Sequence, residues 1–354
     1  MADSKRRTEL SWLNLIFCAM VLWSHSSSYA LTHLDKLGWP YAATYSLQRI
    51  CFVSVYGFFF LSGLKLTLSR RKPPSPLTFW GKRFKVILLP YCLAVMVYYL
   101  WFSQILHYFP FSVTDYLGYL VRGDLSSPFY FAVALAQFIL LAPLLRKIAE
   151  RYSPILLIPT ALVVTLLSVM YCNDIIQLFA PGASFAYGDR IFPTYLVYYL
   201  AGCCAGRWYE EFLAMLEHNK GLIAGMTAVL TALDIVLCWL SYTGRRSVHF
   251  TEITAMLFHL SAILLGFLVA LRLPRHIPGW LAKVDRASYL IYLYHSLALS
   301  GIDTLLRRLG IVRVSMVFPI RAAFVFTATP LACILWQRLW GRLHQKFVGK
   351  GADK

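Results

Sequence analysis

Ten apolar runs, each about as long as a bilayer is thick, divide this sequence and leave little else to fold. They cover residues 10–31, 46–68, 84–105, 128–146, 154–172, 191–208, 221–242, 251–271, 287–306 and 315–340. A membrane-crossing helix needs about 20 apolar residues, and the hydrocarbon core admits only structures that satisfy their own backbone hydrogen bonds. The expected fold is therefore all-α, a polytopic membrane helix bundle of about ten transmembrane helices. The chain is 59% hydrophobic and 14% charged, too apolar for a soluble domain of 354 residues. One membrane domain is expected over 1–345, followed by a short basic tail, 346–354. The segments 106–127 and 173–190 are too short to hold a soluble domain. The run after the basic start MADSKRRTELSW is too long for a signal-peptide core, so it is expected to stay as a helix.

A net charge of +18 could point to nucleic acid. The basic residues instead fall in short blocks between apolar runs, so no nucleic-acid partner is expected. With the N-terminus inside, the inner segments hold Lys5 to Arg7, Arg70 to Lys72, Lys82, Arg83, Lys85, Arg146, Lys147, Arg151, Arg207, Lys220, Arg272, Arg275, Lys283, Arg286 and the tail from Arg338. About two-thirds of the Lys and Arg then share one side, and ten spans return the C-terminus to it. Both termini are expected to be cytosolic. Arg245, Arg246, Arg307, Arg308 and Arg313 break the trend and read as solvated loop charges. The eight cysteines lie in or beside apolar runs, without CxxC or zinc-like spacing, and no metal site is expected.

Polar groups inside apolar runs carry the functional signal. His25 ends the first run with Ser24, Ser26, Ser27 and Ser28 around it. A buried histidine is often only a hydrogen-bonded packing residue, yet an ionisable group at membrane depth is a functional candidate. His25, with Ser24 beside it, is the candidate catalytic position, roughly 22 Å into the span at 1.5 Å per residue. In the stretch 286–299, Ser288, Tyr292 and His295 are spaced to share one helix face. His259 is a third intramembrane histidine. Asp234, Glu252 and Asp303 are the carboxylates available to orient an imidazole. Gly57 and Gly63 read as packing residues, and Ser62 as a packing or substrate-contacting one. Gln137, the strong polar group of its span, suits either interhelical hydrogen bonding or substrate contact. Lys82, Arg83 and Lys85 suit ordinary topological anchoring or a grip on phosphate. Pro90 is expected to distort its helix.

Five of these stretches together resemble the acyltransferase 3 family of integral membrane acyltransferases. They are His25 closing the first span, FFFLSG at 58–63, the basic cluster before LLPY at 88–91, the span 129–143, and SYLIYLYHSL at 288–297. The resemblance implies transfer of an acyl group, commonly acetyl, from acyl-coenzyme A on the cytosolic side. The acceptor would be a hydroxyl or amine of a glycan or cell-envelope molecule on the outer side of a bacterial cytoplasmic membrane. It implies acetyl-coenzyme A as cosubstrate and no permanently bound cofactor. The family histidine matches His25. The family's basic motif matches Arg83 and Lys85, although here it reads KRFK. One departure stands out: the basic residue usual eleven positions before the histidine is Asn14. Asn14, Ser62, Gln137, His295, Tyr292 and Glu252 are then the supporting or substrate-binding candidates. His25 would act as general base or as a transient acyl carrier. The rival reading is a transporter or flippase for a glycan or lipid-linked sugar, and a third is a sensory membrane domain.

Overall fold

A computed structural model describes residues 7–69, 75–244 and 253–349, with side chains as far as residue 340. Among the described residues the regular structure is helical, with no strand. The first helices are α1 (Thr8–Ser26), α2 (Ser28–His33), α3 (Trp39–Cys51), α4 (Val53–Thr67) and α5 (Pro76–Arg83). Next come α6 (Leu89–Leu100), α7 (Val113–Arg122), α8 (Phe129–Arg151), α9 (Pro154–Phe179) and α10 (Leu196–Arg207). The last are α11 (Tyr209–His218), α12 (Lys220–Tyr242), α13 (Ile253–Arg272), α14 (Gly279–Arg308) and α15 (Val314–Gly349).

Eight stretches of the described residues are long and apolar enough to cross a bilayer, from Thr8–His33 to Val314–Trp340. The other two expected spans are helical as well. One is the 3-10 turn Phe192–Tyr195 continued by α10, and the other lies within the 30 residues of α14. The protein is thus a polytopic helical membrane bundle. Large apolar side chains such as Ile155, Leu178 and Phe179 stand outward on α9, as a lipid-facing surface requires. Two short helices, α7 and α11, were not foreseen, because each has 10 residues and neither forms an apolar run. Of the expected basic tail, 350–354 lies outside the described residues.

The chain divides into two compact units, one from its ends (1–52 with 273–354) and one from its middle (53–272). In the first unit α1 packs on both α14 and α15. Near its start Leu15 packs with Ile277 and Ala282, and Trp12 Nε1 donates to the Pro274 carbonyl at 2.9 Å. Beyond its other end Tyr29 packs against the cluster of Ile302, Leu306 and Val317. Residue numbers rise together along both helices, so α1 and α14 run parallel. Helix α15 runs the other way: Val317 meets Ile302 and Leu306, while Gln337 Nε2 donates to the Arg286 carbonyl.

The second unit is drawn together by small residues. Gly63 on α4 and Gly202 on α10 lie so close to the opposite backbone that an added Cβ would overlap the Tyr199 and Phe60 carbonyls, respectively. Close backbone approach is what association in lipid demands, because apolar burial gives no advantage there. Thr67 Oγ1 then donates across to the Cys203 carbonyl at 2.7 Å. Between α5 and α6 the turn Phe84–Leu88 widens into a π-helix, closed by the Leu89 N–H on the Phe84 carbonyl. Pro90 explains it, since the proline has no N–H to continue the α-helical ladder and its ring crowds the preceding turn.

Candidate active site

The serines after His25 break their own helix. Ser26 Oγ donates to the Trp23 carbonyl, Ser27 Oγ to that of Ser24 and Ser28 Oγ to that of His25, at 3.0, 3.0 and 2.8 Å. Such back-bonding competes with the helical ladder, and α1 stops at Ser26 with Ser27 as the turn into α2. None of the three hydroxyls bonds the imidazole. Ser24, buried, works here through its carbonyl, which also accepts from Gln48 Nε2 at 3.0 Å.

Arg321 closes the broken end. This buried α15 residue sends Nε to the Ser26 carbonyl at 3.2 Å and Nη2 to the His25 carbonyl and Ser28 Oγ, at 3.3 and 3.2 Å. Its Nη1 is paired with the Asp303 carboxylate of α14. A guanidinium placed on the free carbonyls at the C-terminal end of a helix satisfies them and opposes the negative end of the dipole. The second oxygen of Asp303, Oδ1, is buried with no hydrogen-bond partner among the described residues. Arg321 was not singled out from the sequence. Its signal was present, as an arginine inside the apolar run 315–340.

The half-buried His25 ring lies against that of His295, with centroids 4.8 Å apart and planes tilted by 55°. His295 is fully buried, and its Nδ1 sits 2.7 Å from the Tyr292 carbonyl. A carbonyl only accepts, so the proton of a neutral His295 is on Nδ1 and Nε2 carries the lone pair. Nε2 in turn faces Ser296 Oγ at 3.3 Å. No hydrogen bond from a described residue holds the His25 ring nitrogens. One imidazole is therefore fixed in tautomer by the backbone, and the ring nitrogens of the other carry no hydrogen bond from a described residue. Of the carboxylates available to orient a histidine, Asp303 pairs with Arg321, and Asp234 accepts a weak contact from Cys238 Sγ at 3.9 Å. Glu252 lies outside the described residues.

Lower on the same helices, Asn14 Nδ2 donates to Asp285 Oδ1 at 2.7 Å and Ser288 Oγ at 2.8 Å. The uncharged amide thus joins α1 to α14 beside a carboxylate.

The remaining candidates belong to the middle unit. Ser62 Oγ donates to the Phe58 carbonyl of its own helix at 2.8 Å. Gln137 holds the segment before α10, giving Nε2 to the Arg190 carbonyl at 2.6 Å and receiving the Phe192 N–H at 3.0 Å. Lys82 and Lys85 are exposed, and Arg83 lies over the Phe79 ring at 5.4 Å. None of these three cations is engaged in an ion pair among the described residues. His259 is buried, stacked on Tyr56 at 3.9 Å, with Tyr198 Oη 3.4 Å from its Nδ1.

Comparison with known proteins agrees with the membrane architecture and decides between the function classes. The family model described as "Acyltransferase domain" (acyltransferase 3) matches residues 7–337. A Bacillus subtilis (strain 168) protein named "Putative membrane-bound acyltransferase YfiQ" is 25% identical over 295 residues, which is 81% of this chain and 80% of the relative. No solved structure matches. Because the family match spans nearly the whole chain, the histidine-bearing helices and the middle unit alike, the protein belongs to the acyltransferase 3 family and is a membrane acyltransferase acting on groups other than aminoacyl.

Proposed function

We propose that the protein transfers an acyl group, acetyl in the simplest case, from acyl-coenzyme A on the cytosolic side to a hydroxyl or amine of a glycan or other cell-envelope acceptor outside. The membrane is the bacterial cytoplasmic membrane, and residues 1–345 act as one catalytic domain. His25 is the general base. It takes the proton of the acceptor hydroxyl as that oxygen attacks the thioester carbonyl. The C–S bond then breaks, and the leaving thiolate receives the proton from the imidazolium. The observation that supports this role is the half-buried His25 ring, unbonded by described side chains and lying 4.8 Å from a buried His295 of fixed tautomer. Lys82, Arg83 and Lys85 hold the donor's phosphates, a role that suits three cations not committed to carboxylates.

The test uses purified protein with labelled acetyl-coenzyme A and an envelope-glycan extract. His25→Ala, with unchanged thermal unfolding, should lose about 10²–10⁴-fold in transfer rate, the usual worth of a general base. Transfer at the wild-type rate ends the assignment. Arg83→Gln with Lys85→Gln should raise the donor KM and leave the acceptor KM alone. Equal changes in both overturn the donor role.

A further inference from the structure

At the end of the first unit opposite the start of α1, Arg307, Arg308 and Arg313 are all exposed. By the distribution of Lys and Arg this is the outer end, where basic residues are scarce. The turn that bears them is firmly built. Gly310, at φ 71°, ends α14: its N–H reaches the Arg307 carbonyl at 3.1 Å, and the Ile311 N–H reaches the Leu306 carbonyl at 2.9 Å. Ile311 then packs on Ile302, Leu306 and Val317. Four residues after His25, Tyr29 Oη donates to the Val312 carbonyl at 2.8 Å and ties the turn to the first helices.

Local helix electrostatics accounts for two of the three. Arg307 and Arg308 stand in the last turn of α14, where a cation opposes the negative end of the dipole, and Arg307 Nε also reaches the Asp303 carbonyl at 3.4 Å. Arg313 has no such reason. Its carbonyl accepts the N–H groups of Met316 and Val317, at 3.0 and 2.9 Å, so its charge stands at the positive end of α15. The one acid between 301 and 321 is Asp303, which is held by Arg321. Among the described residues the side chains of Arg308 and Arg313 make no ion pair or hydrogen bond. A charge set against both the positive-inside trend and the helix dipole breaks a local rule without a local gain, which is the mark of a functional position.

The neighbours of these arginines separate a lipid from a water-soluble anion. Leu305, Leu309, Val312 and Met316 are interleaved with them and are 50%, 63%, 60% and 48% exposed. A soluble polyanion gains nothing from that apolar surface. A phospholipid matches both parts, its phosphate on the guanidinium groups and its chains on the aliphatic side chains. We propose that this turn is a headgroup site for an anionic phospholipid of the outer leaflet, with the phosphate gripped by Arg308 and Arg313 and the chains lying beside Leu305 and Leu309. The site does not depend on acyl transfer. Because Tyr29 joins the turn to the end of α1, a lipid seated there stands close to the broken helix that carries His25.

The experiment is photolabelling of the full chain in phosphatidylcholine nanodiscs doped with a phosphatidylglycerol that carries a diazirine beside its headgroup. Labelled residues are mapped by mass spectrometry. Label is expected within 305–316, and a phosphatidylcholine with the same diazirine should mark that segment several-fold less. A basic residue near an anionic headgroup is worth roughly fivefold in occupancy, so Arg308→Gln with Arg313→Gln should lower the label about 25-fold. Arg308→Lys with Arg313→Lys keeps the charge and should retain most of the label, which separates loss of charge from damage to the turn. The proposal is overturned if the segment stays unlabelled, if phosphatidylcholine marks it as strongly, or if the glutamine pair labels as wild type. It is equally overturned if the lysine pair loses as much as the glutamine pair, or if soluble glycerol phosphate or polygalacturonate removes the label. The assay contains no acyl donor, so its outcome is separate from that of the acyl-transfer reading.

Discussion

Arg321 gathers more of the candidate site than any other side chain. It touches the carbonyls of His25 and Ser26, the hydroxyl of Ser28 and the carboxylate of Asp303. Breaking a buried pair by removing one partner strands the other charge, so Arg321→Ala should cost about 3–5 kcal/mol of stability. Replacing both partners by apolar residues of similar size, Arg321→Met with Asp303→Leu, should recover most of that stability, because no charge is then left buried. Transfer should not recover, since nothing then holds the end of α1. Thermal unfolding and turnover measured on the same samples check this, and recovery of both would reduce Arg321 to packing. His295 gives a second prediction. His295→Asn places an amide near Nδ1, within reach of the Tyr292 carbonyl, and removes Nε2. If Nε2 matters to the reaction, kcat should fall at least tenfold while the unfolding temperature stays near wild type. The two histidines were legible one by one as ionisable groups in apolar runs. Their meeting was not, because it depends on the packing of helices 270 positions apart in sequence. Arg321 was hidden by its own run, whose length and hydropathy satisfied the reading of a plain span.

At the scale of elements, the apolar runs marked the spans well because hydropathy and length are local properties. What they omitted follows from the same locality. The helices α7 and α11 fell below span length, although α7 carries an exposed apolar stripe of Val113, Leu117 and Val121 spaced four apart. Their polar partners set them in place: Glu217 of α11 accepts from Lys220 and Arg272, which hold its carboxyl below the usual range. The π-turn before Pro90 was foreshadowed by the proline, but its widened form was not. The contact of α4 with α10 separates two kinds of glycine. Gly202→Ala should destabilise by about 1–3 kcal/mol, the cost of forcing two packed backbones apart. Gly225→Ala, in open space on α12, should instead gain about 0.5–1 kcal/mol from the unfolded-state entropy it removes. Thermal unfolding of the two variants in one detergent checks the contrast, and equal effects would deny that the α4–α10 approach governs stability.

For the molecule as a whole, the parallel course of α1 and α14, with α15 opposed, puts the start of α1 and the later part of α15 at one end of their unit. That arrangement is what an even number of crossings produces. Cysteine-accessibility labelling in inverted and right-side-out vesicles should therefore place tags at both termini on the same face, the cytosolic one by the distribution of Lys and Arg. Tags on opposite faces would mean that a span has been miscounted. The unit that carries His25 and His295 is built from the two extremities of the sequence, with some 220 residues between them. A ribosome making this protein therefore releases the first imidazole into the membrane long before its neighbour and the clasping guanidinium exist. The candidate site can form only once nearly all of the message has been read, and a chain cut short by proteolysis or a premature stop before Arg321 would lack it.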